Sequence, residues 1–270
     1  MKCYIENIMT DTQVSTDLKI LIPEASMRRR MSRVLKTGVS TAVECLGGRE
    51  NIDRIDAVVT ATGLGCLADS EKFLRNVIDG NEQLLNPTPF IQSTFNTVGG
   101  QVALLRHNHC YNVTYVNRGH SFEDALLDTM MRIDDGESRD VLLGAFDERT
   151  ESQFRIMQRM GCYRQADAGE GAVFAELTAE ATSRSFAAVT RVDFPGEALS
   201  EEECRQRYAD ASRSEVLVCR GDDYGVYPTV SARYFAEAAE MIRRGDAEQV
   251  IVYNPVFHDT PAVTVLEWLG

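Results

Sequence analysis

Two stretches of this chain constrain its fold more than any other feature. Residues 133–143 read IDDGESRDVLL, and residues 242–252 read IRRGDAEQVIV. Both follow the pattern Ile-x-x-Gly-acid-small-x-x-Val-aliphatic-aliphatic at the end of a helix-spaced segment, and the same offset aligns the helices before them. A glycine that stops a helix ahead of a β-branched run is ordinary helix-to-strand chemistry. Agreement in helix length, acid position and strand start goes further and implies a duplicated half. Under that duplication Gly119 corresponds to Pro228 in Gly-Val-Tyr-Pro-Thr-Val-Ser-Ala. The turns that open the two helices should then lie near a common pseudo-twofold centre.

The rest of the chain alternates in the same way. The spacing predicts an amphipathic helix over 27–46, stopped by Gly47-Gly48, then a buried strand over 56–62 that runs into Gly63-Leu-Gly-Cys66. A helix over 69–79 follows, with Asp69 or Ser70 as its cap. After NPTPF, residues 94–106 read as helical despite Gly99-Gly100. Each glycine costs a helix about 1 kcal/mol, so close packing against another backbone should compensate. Next come the strand NVTYV (112–116), a helix over 121–133, and the strands VLLGAF and GAVFAELT. Residues 178–215 lack periodicity and read as a connection. SEVLVC, EQVIVYN and PAVTVLEW then supply strands, and TVSARYFAEAAEMIRR a helix between the first two. Strands alternating with helices imply an α/β fold with largely parallel central strands.

Composition narrows the function. With 270 residues and 44% hydrophobic content, the chain suits one large domain or two closely packed halves. Residues 1–180 form the first half in this reading. Residues 181–270 form a shortened second half packed against it in a single compact unit. A net charge of −13 repels polyanions and argues against nucleic acid as a partner. Seven scattered cysteines, none spaced CxxC, suggest neither a disulfide framework nor a zinc ribbon and fit a reducing cytoplasm. No stretch approaches the roughly 18 apolar residues of a membrane span. One basic cluster stands against the acidic background: Arg28, Arg29, Arg30, Arg33 and Lys36 within MRRRMSRVLK. It is either a solvated helix face or a dock for an acidic partner.

Several stretches, in order, resemble the β-ketoacyl synthase branch of the thiolase superfamily. RRRMSRVLKTGVSTAVECL is similar to that family's early arginine-methionine helix, and VVTATGLGCLADSEKFL to its strand and glycine-rich loop. NPTPFIQSTFNTVGGQVAL resembles a segment that packs at the family's dimer centre. GESRDVLLGAFDE and GEGAVFAEL match its Gly-x-x-Asp-Val and Glu-Gly-Ala strands, and YNPVFHDTPAVTVLE occupies the place of its terminal strand pair. The resemblance implies a thiolase-like fold of two pseudo-repeated halves in α/β/α/β/α layers, shortened relative to a full ketosynthase. It implies no cofactor and no metal.

Ketosynthase chemistry needs a thiolate, at the start of a helix, that takes an acyl chain from an acyl carrier protein, and two histidines that stabilise the developing enolate and oxyanion. The matching turn here is Thr114-Tyr-Val-Asn-Arg-Gly-His-Ser121. One alignment puts Val116 at the nucleophile's place and another puts Gly119 there. Pro228 stands at the first histidine's position, and the second has no visible counterpart. The resemblance therefore implies a catalytically silent ketosynthase-like chain, similar to the chain-length factors of type II polyketide and aryl-polyene systems. Such a chain pairs with an active ketosynthase or with itself, with the helix over 94–106 and the strand over 112–116 at the interface. Arg28, Arg29, Arg30 and Arg33 would meet the acidic carrier protein.

Other side chains offer chemistry of a different class. Cys110 precedes its strand and reads as a buried thiol, although a displaced nucleophile is the alternative. Ser121 in Gly119-His-Ser121-Phe-Glu123 resembles an esterase G-x-S-x-G elbow without its last glycine, and reads equally as the N-cap of the next helix. An active acyl-transferring enzyme or esterase using Cys110 or Ser121 is thus the competing reading. His107 and His109 have no ligand cluster around them in sequence. His258-Asp259 falls in a loop near the expected site, and Arg118 is positioned to fill the missing thiol's pocket or to bind a carboxylate.

Overall fold

Runs of β-branched and aliphatic residues set the sheet, and the two repeat helices lie between its halves. A computed structural model of the chain describes residues 1–83, 85–164, 166–257 and 260–270. In order, the N-terminal elements are β1 (Cys3–Thr10), α1 (Leu18–Leu21), α2 (Ala25–Arg30), α3 (Arg33–Cys45), β2 (Ala57–Ala61), α4 (Leu67–Asp79), α5 (Pro87–Gln92), α6 (Thr97–Leu104) and β3 (Tyr111–Tyr115). After them come α7 (Ser121–Asp134), β4 (Asp140–Asp147), α8 (Glu151–Arg159) and β5 (Gly171–Thr178). The remainder is β6 (Ala187–Asp193), α9 (Glu201–Tyr208), β7 (Ser214–Val218), α10 (Ser231–Arg244), β8 (Gln249–Asn254) and β9 (Ala262–Trp268).

The strands join in the order β3-β2-β4-β5-β1-β6-β9-β8-β7. β2 runs parallel to β3 and β4, and β7 parallel to β8. β5 and β9 are antiparallel to both neighbours. A short antiparallel pairing of Cys3, Tyr4 and Ile5 with Val189, Ala188 and Ala187 joins the two sides. α7 touches β2, β3 and β4 but also β6 and β9; α10 touches β7, β8 and β9 but also β1 and β5. Both helices are therefore covered by strands from each side of that seam. Phe122 of α7 meets Phe235 of α10 edge-on, ring centres 5.3 Å apart, in the largest apolar cluster. α3 and α6 cover the first strands from outside through Leu35, Val39, Val98 and Val102, and α9 covers β7 and β8 through Cys204 and Tyr208. The result is the α/β/α/β/α layering that the resemblance implies.

The two repeat stretches end their helices alike. Gly136 and Gly245 both adopt the left-handed conformation, with φ of 71° and 76°. The double glycine of α6 divides its roles. A Cβ on Gly99 would lie 2.8 Å from Asn112 Oδ1, so the close approach is to a side chain of β3 and not to another backbone as expected, whereas Gly100 faces open space.

Several boundaries differ from the sequence reading. The helix over 27–46 is two helices, because Met31 and Ser32 are extended; Met31 turns into the core, and serine, a favoured N-cap residue, restarts α3. Cys66, not Asp69 or Ser70, is the N-cap of α4, and Asp69 is buried in its first turn. The supposed connection over 178–215 contains β6, at the middle of the sheet, and α9, begun by a capping box of Ser200 and Glu203. β6 escaped notice because its second half, Thr190–Asp193, alternates only weakly once it leaves the buried seam.

Candidate functional site

β3 ends at Tyr115, whose carbonyl accepts from Thr62 N, and the chain then turns into α7. Arg118 takes a left-handed φ of 49°, rare for a residue with a side chain, and a single 3₁₀ turn over Arg118–His120 delivers the helix. Ser121 clasps this turn from inside. Its Oγ donates to Arg118 O at 2.9 Å and accepts from Asn117 N at 2.8 Å, and the residue is fully buried. Gly119 is obligatory, since a Cβ there would sit 1.7 Å from the carbonyl oxygen of Val256. His120 is buried as well, with Nε2 2.7 Å from Thr260 O and its ring 5.1 Å from that of Phe194.

Two side chains at strand ends bind each helix start to the opposite part of the fold. Asn254, the last residue of β8, donates from Nδ2 to Gly119 O and to Glu123 Oε1, both at 2.9 Å. Asp147, the last residue of β4, receives Thr62 Oγ1, Gly63 N and Leu64 N on one oxygen, and Thr229 N and Oγ1 on the other, at 2.8–3.2 Å. Thr229 opens α10. The two clasps are thus reciprocal: the first part's strand holds the second part's helix, and the reverse. The turns themselves approach at Gly63, where a Cβ would lie 2.1 Å from Pro228 Cβ and 3.6 Å from Arg118 O.

Burial sets the electrostatics. It pushes the Asp147 carboxyl up, against the opposing pull of its hydroxyl and amide donors. Glu123, entirely buried, is pushed up to about 7 by desolvation, with Ser231 and Asn254 opposing the shift. Cys219, just beyond β7, is buried and its thiol lies well above the ordinary range, through desolvation and the nearby Glu123 and Glu237 carboxyls.

The residues singled out from sequence scatter around this turn. Val116 is 40% exposed beside the edge strand, while Gly119, Ser121 and Pro228 are all buried at the junction of the helix starts. Arg118 does not fill the turn, as expected for a replacement of the thiol; its side chain points to solvent. Cys110 lies at the far end of β3, five residues of about 3.3 Å each from the turn, and burial raises its thiol. His107 and His109 are exposed, and among the described residues no group of His, Cys, Asp and Glu is gathered for a metal. His258 and Asp259 lie outside the described residues.

The arginine cluster divides. Arg33 grips Glu170 with both terminal nitrogens, at 2.5 and 2.6 Å, and donates to Arg149 O. Arg28 donates to Ile22 O. Arg29 and Arg30 form no ion pair among the described residues and remain exposed.

Sequence reasoning missed His120, Asp147, Glu123 and Asn254. The available signal was a polar residue closing an otherwise apolar strand in both halves, GAFD and VIVYN. What these groups do is hold two helix N-termini. An acyl transfer at this turn would need a nucleophile free to attack, and Ser121 is engaged on both its lone pair and its proton.

A nine-stranded sheet folded over two central helices, with a strand-turn-helix at their shared start, defines the thiolase-like ketosynthase fold. The ishigamide ketosynthase/chain length factor has it, superposing with a TM-score of 0.79 at 16% identity over the whole of both chains. A type II polyketide ketosynthase solved with its acyl-carrier protein gives 0.77 at 10% identity over 99% of each chain. A ketosynthase in complex with its chain length factor from Xenorhabdus doucetiae gives 0.62 at 14%, over 98% of this chain and 99% of that one. Residues 6–214 match the beta-ketoacyl synthase N-terminal domain model, and the chain belongs to that family. No curated protein matches the sequence.

Proposed function

We propose that this chain is a ketosynthase-like protein of fatty acid or polyketide biosynthesis, of the aryl-polyene type, that has lost condensing chemistry and serves as a chain-length-factor-like partner of an active β-ketoacyl synthase. The observation that carries this reading is the helix-opening turn of Arg118, Gly119, His120 and Ser121. It keeps the strand, turn and helix that would present a nucleophile, yet holds no thiol, and its one hydroxyl is buried and engaged. Pro228, against Gly63, stands where the family's histidine belongs. A role for Ser121 as an esterase nucleophile or for Cys110 as a displaced thiol has less support, because the first is wholly buried and the second lies a strand's length away.

The partner surface in this reading is the free edge of β3 with the outward face of α6 and its flanks. Phe90, Phe95, Leu104 and Val116 expose 56, 48, 48 and 40% of their surface there, more apolar area than water favours. An unpaired strand edge beside such a patch supports pairing with a second sheet. Arg29 and Arg30, with Arg28 and Arg33 beside them, are the surface offered to an acidic acyl carrier protein. Residues 1–180 and 181–270 are taken as the duplicated halves, and the reducing cytoplasm as the compartment. No helix among the described residues is long and apolar enough to cross a membrane.

Co-expression with an active β-ketoacyl synthase from the same genome, followed by native mass spectrometry, tests the reading. A one-to-one heterodimer is expected. Intact mass after incubation with an acyl thioester should show no adduct on this chain; an acyl group on Cys110 or Ser121, or a homodimer with no affinity for any ketosynthase, overturns it.

A further inference from the structure

Two buried carboxyls lie side by side at the seam of the sheet, away from the helix starts. β1 pairs with β5 so that Ile5 is opposite Leu177 and Asn7 opposite Glu176, which leaves Glu6 as the extra residue of a β-bulge. A bulge re-aims its side chain, and this one brings Glu6 within hydrogen-bond reach of Glu176. Both side chains are 1% exposed. Thr182 and Arg184, from the connection between β5 and β6, close over them. Arg184 Nη2 touches Glu6 Oε2 and lies 3.0 Å from Glu176 Oε1, and Thr182 Oγ1 donates to Glu6 Oε1 at 2.5 Å. From the 3₁₀ turn Arg49–Arg54, Arg54 Nη2 stands 2.5 Å from Glu176 Oε1. The connection ends at Phe186, whose N donates to Ile5 O beside the short pairing of β1 with β6.

Charge around the pair is one-sided. Asp140 of β4 lies 3.9 Å from Arg54, Asp56 accepts from Arg139 N, and Glu180 pairs with the Arg139 side chain. Arg243 of α10 stacks on Phe186 but is taken by Glu240, and α3 contributes the buried Cys45 thiol. The carboxyls of Glu6, Glu176, Asp140, Asp56 and Glu180 thus share the guanidiniums of Arg54, Arg139 and Arg184. Like charges in contact and out of water oppose each other's ionisation, so one proton stays between Glu6 and Glu176. Burial raises the Glu176 carboxyl, Arg54 opposes it, and the hydrogen bond from Glu6 raises it further.

We infer that Glu6 and Glu176 form a proton-operated latch on the β5–β6 connection: with one proton between them they hold Thr182 and Arg184 against the seam, and without it they let go. Glu176 is fixed by Arg54 and by strands on both sides, whereas Glu6 has no partner across the ladder. When both ionise, Glu6 is therefore the one that moves out to water, with Arg184 following its charge, and the connection opens. The sign follows from linkage: a proton held more tightly in the folded state stabilises it at low pH, and that stability is lost as pH rises. This inference does not rest on the silent-partner reading and uses no residue of the helix-opening turns.

Amide hydrogen exchange of the full chain at pH 5 and pH 8, read by mass spectrometry and corrected for intrinsic rates, tests the latch. Glu176→Gln keeps a hydrogen bond to Glu6 and never ionises, and its comparison with wild type at one pH cancels every other titrating group. At pH 5 the two proteins should protect residues 179–186 equally. At pH 8 the wild type should be severalfold less protected there, while α10 exchanges alike in both. Glu6→Gln should behave as Glu176→Gln does, and Arg184→Ala should lower protection of 179–186 at both pH values. Equal protection of 179–186 in wild type and Glu176→Gln at pH 8, a difference shared equally by α10, or an Arg184→Ala variant as protected as wild type at pH 5 overturns the inference.

Discussion

Glu123→Gln is the perturbation that most directly tests how the two helix starts are held together. Glu123 is 2% exposed, shares the Asn254 amide with the Gly119 carbonyl, and has a carboxyl pushed up to about 7 by burial. In the unfolded chain the same carboxyl titrates near 4.3. The native state therefore holds this proton more tightly than the unfolded state across the window from about 4.3 to about 7. Raising the pH through that window removes stability, and above about 7 the loss is complete. At 1.36 kcal/mol per unit the loss is about 4 kcal/mol. Glutamine has nearly the same shape, keeps an oxygen for Asn254, and never ionises. At pH 5 the variant should match the wild type within ~1 kcal/mol. At pH 8 it should be more stable by about 3 kcal/mol, a little below the full figure because the neutral oxygen is the weaker acceptor. Urea denaturation of both proteins at pH 5, 6, 7 and 8 measures this, and other titrating groups cancel in the difference. Parallel pH profiles for the two proteins, or a variant that is less stable at pH 8, would show that Glu123 is not a desolvated carboxyl and refute the reasoning.

Asp147→Asn should cost about 2–4 kcal/mol in the same assay, because an amide nitrogen must face donors from either Thr229 or the Gly63 turn. Gly119→Ala should destabilise by about 3 kcal/mol or more, since the new methyl meets a backbone carbonyl that has no rotamer to escape into; a variant as stable as wild type would mean that the turn is open. Phe122→Ala should cost about 3–5 kcal/mol by opening a void between α7 and α10, and should broaden the methyl resonances of both helices. Alkylation with iodoacetamide under native conditions should label Cys162 and Cys110, the two half-exposed thiols, and leave the five buried ones untouched until urea unfolds the chain.

Periodicity and glycine placement made most elements readable in advance. α7, β4, α10 and β8 were legible because each has an apolar face or run of its own and a glycine that ends the helix by local sterics. The thiolase-like layering was legible only through the family resemblance; periodicity by itself implied an α/β fold with a duplicated half. β1 and β6 were not, because their burial comes from the partners they meet at the seam, Cys3 with Val189 and Ile5 with Ala187, and not from any pattern within them. The break between α2 and α3 was hidden in a continuous helical spacing, and only the turn of Met31 into the core reveals it.

The candidate site divides along the same line. That the turn at 118–121 holds no cysteine, and that proline stands opposite, is a matter of residue identity, so the sequence alone determined it. Whether the remaining Ser121, His120 and Glu123 were free to act depended on which atoms lie against them: Ser121 is held by its own turn, through Asn117 N and Arg118 O, whereas His120 and Glu123 meet residues 194, 254 and 260, far along the chain. Tertiary structure decided that the latter two are engaged. It likewise decided that Arg33 belongs to Glu170 while Arg29 and Arg30 stay unpaired, because a side chain's partners are set by the packing of separate elements and not by its neighbours in sequence.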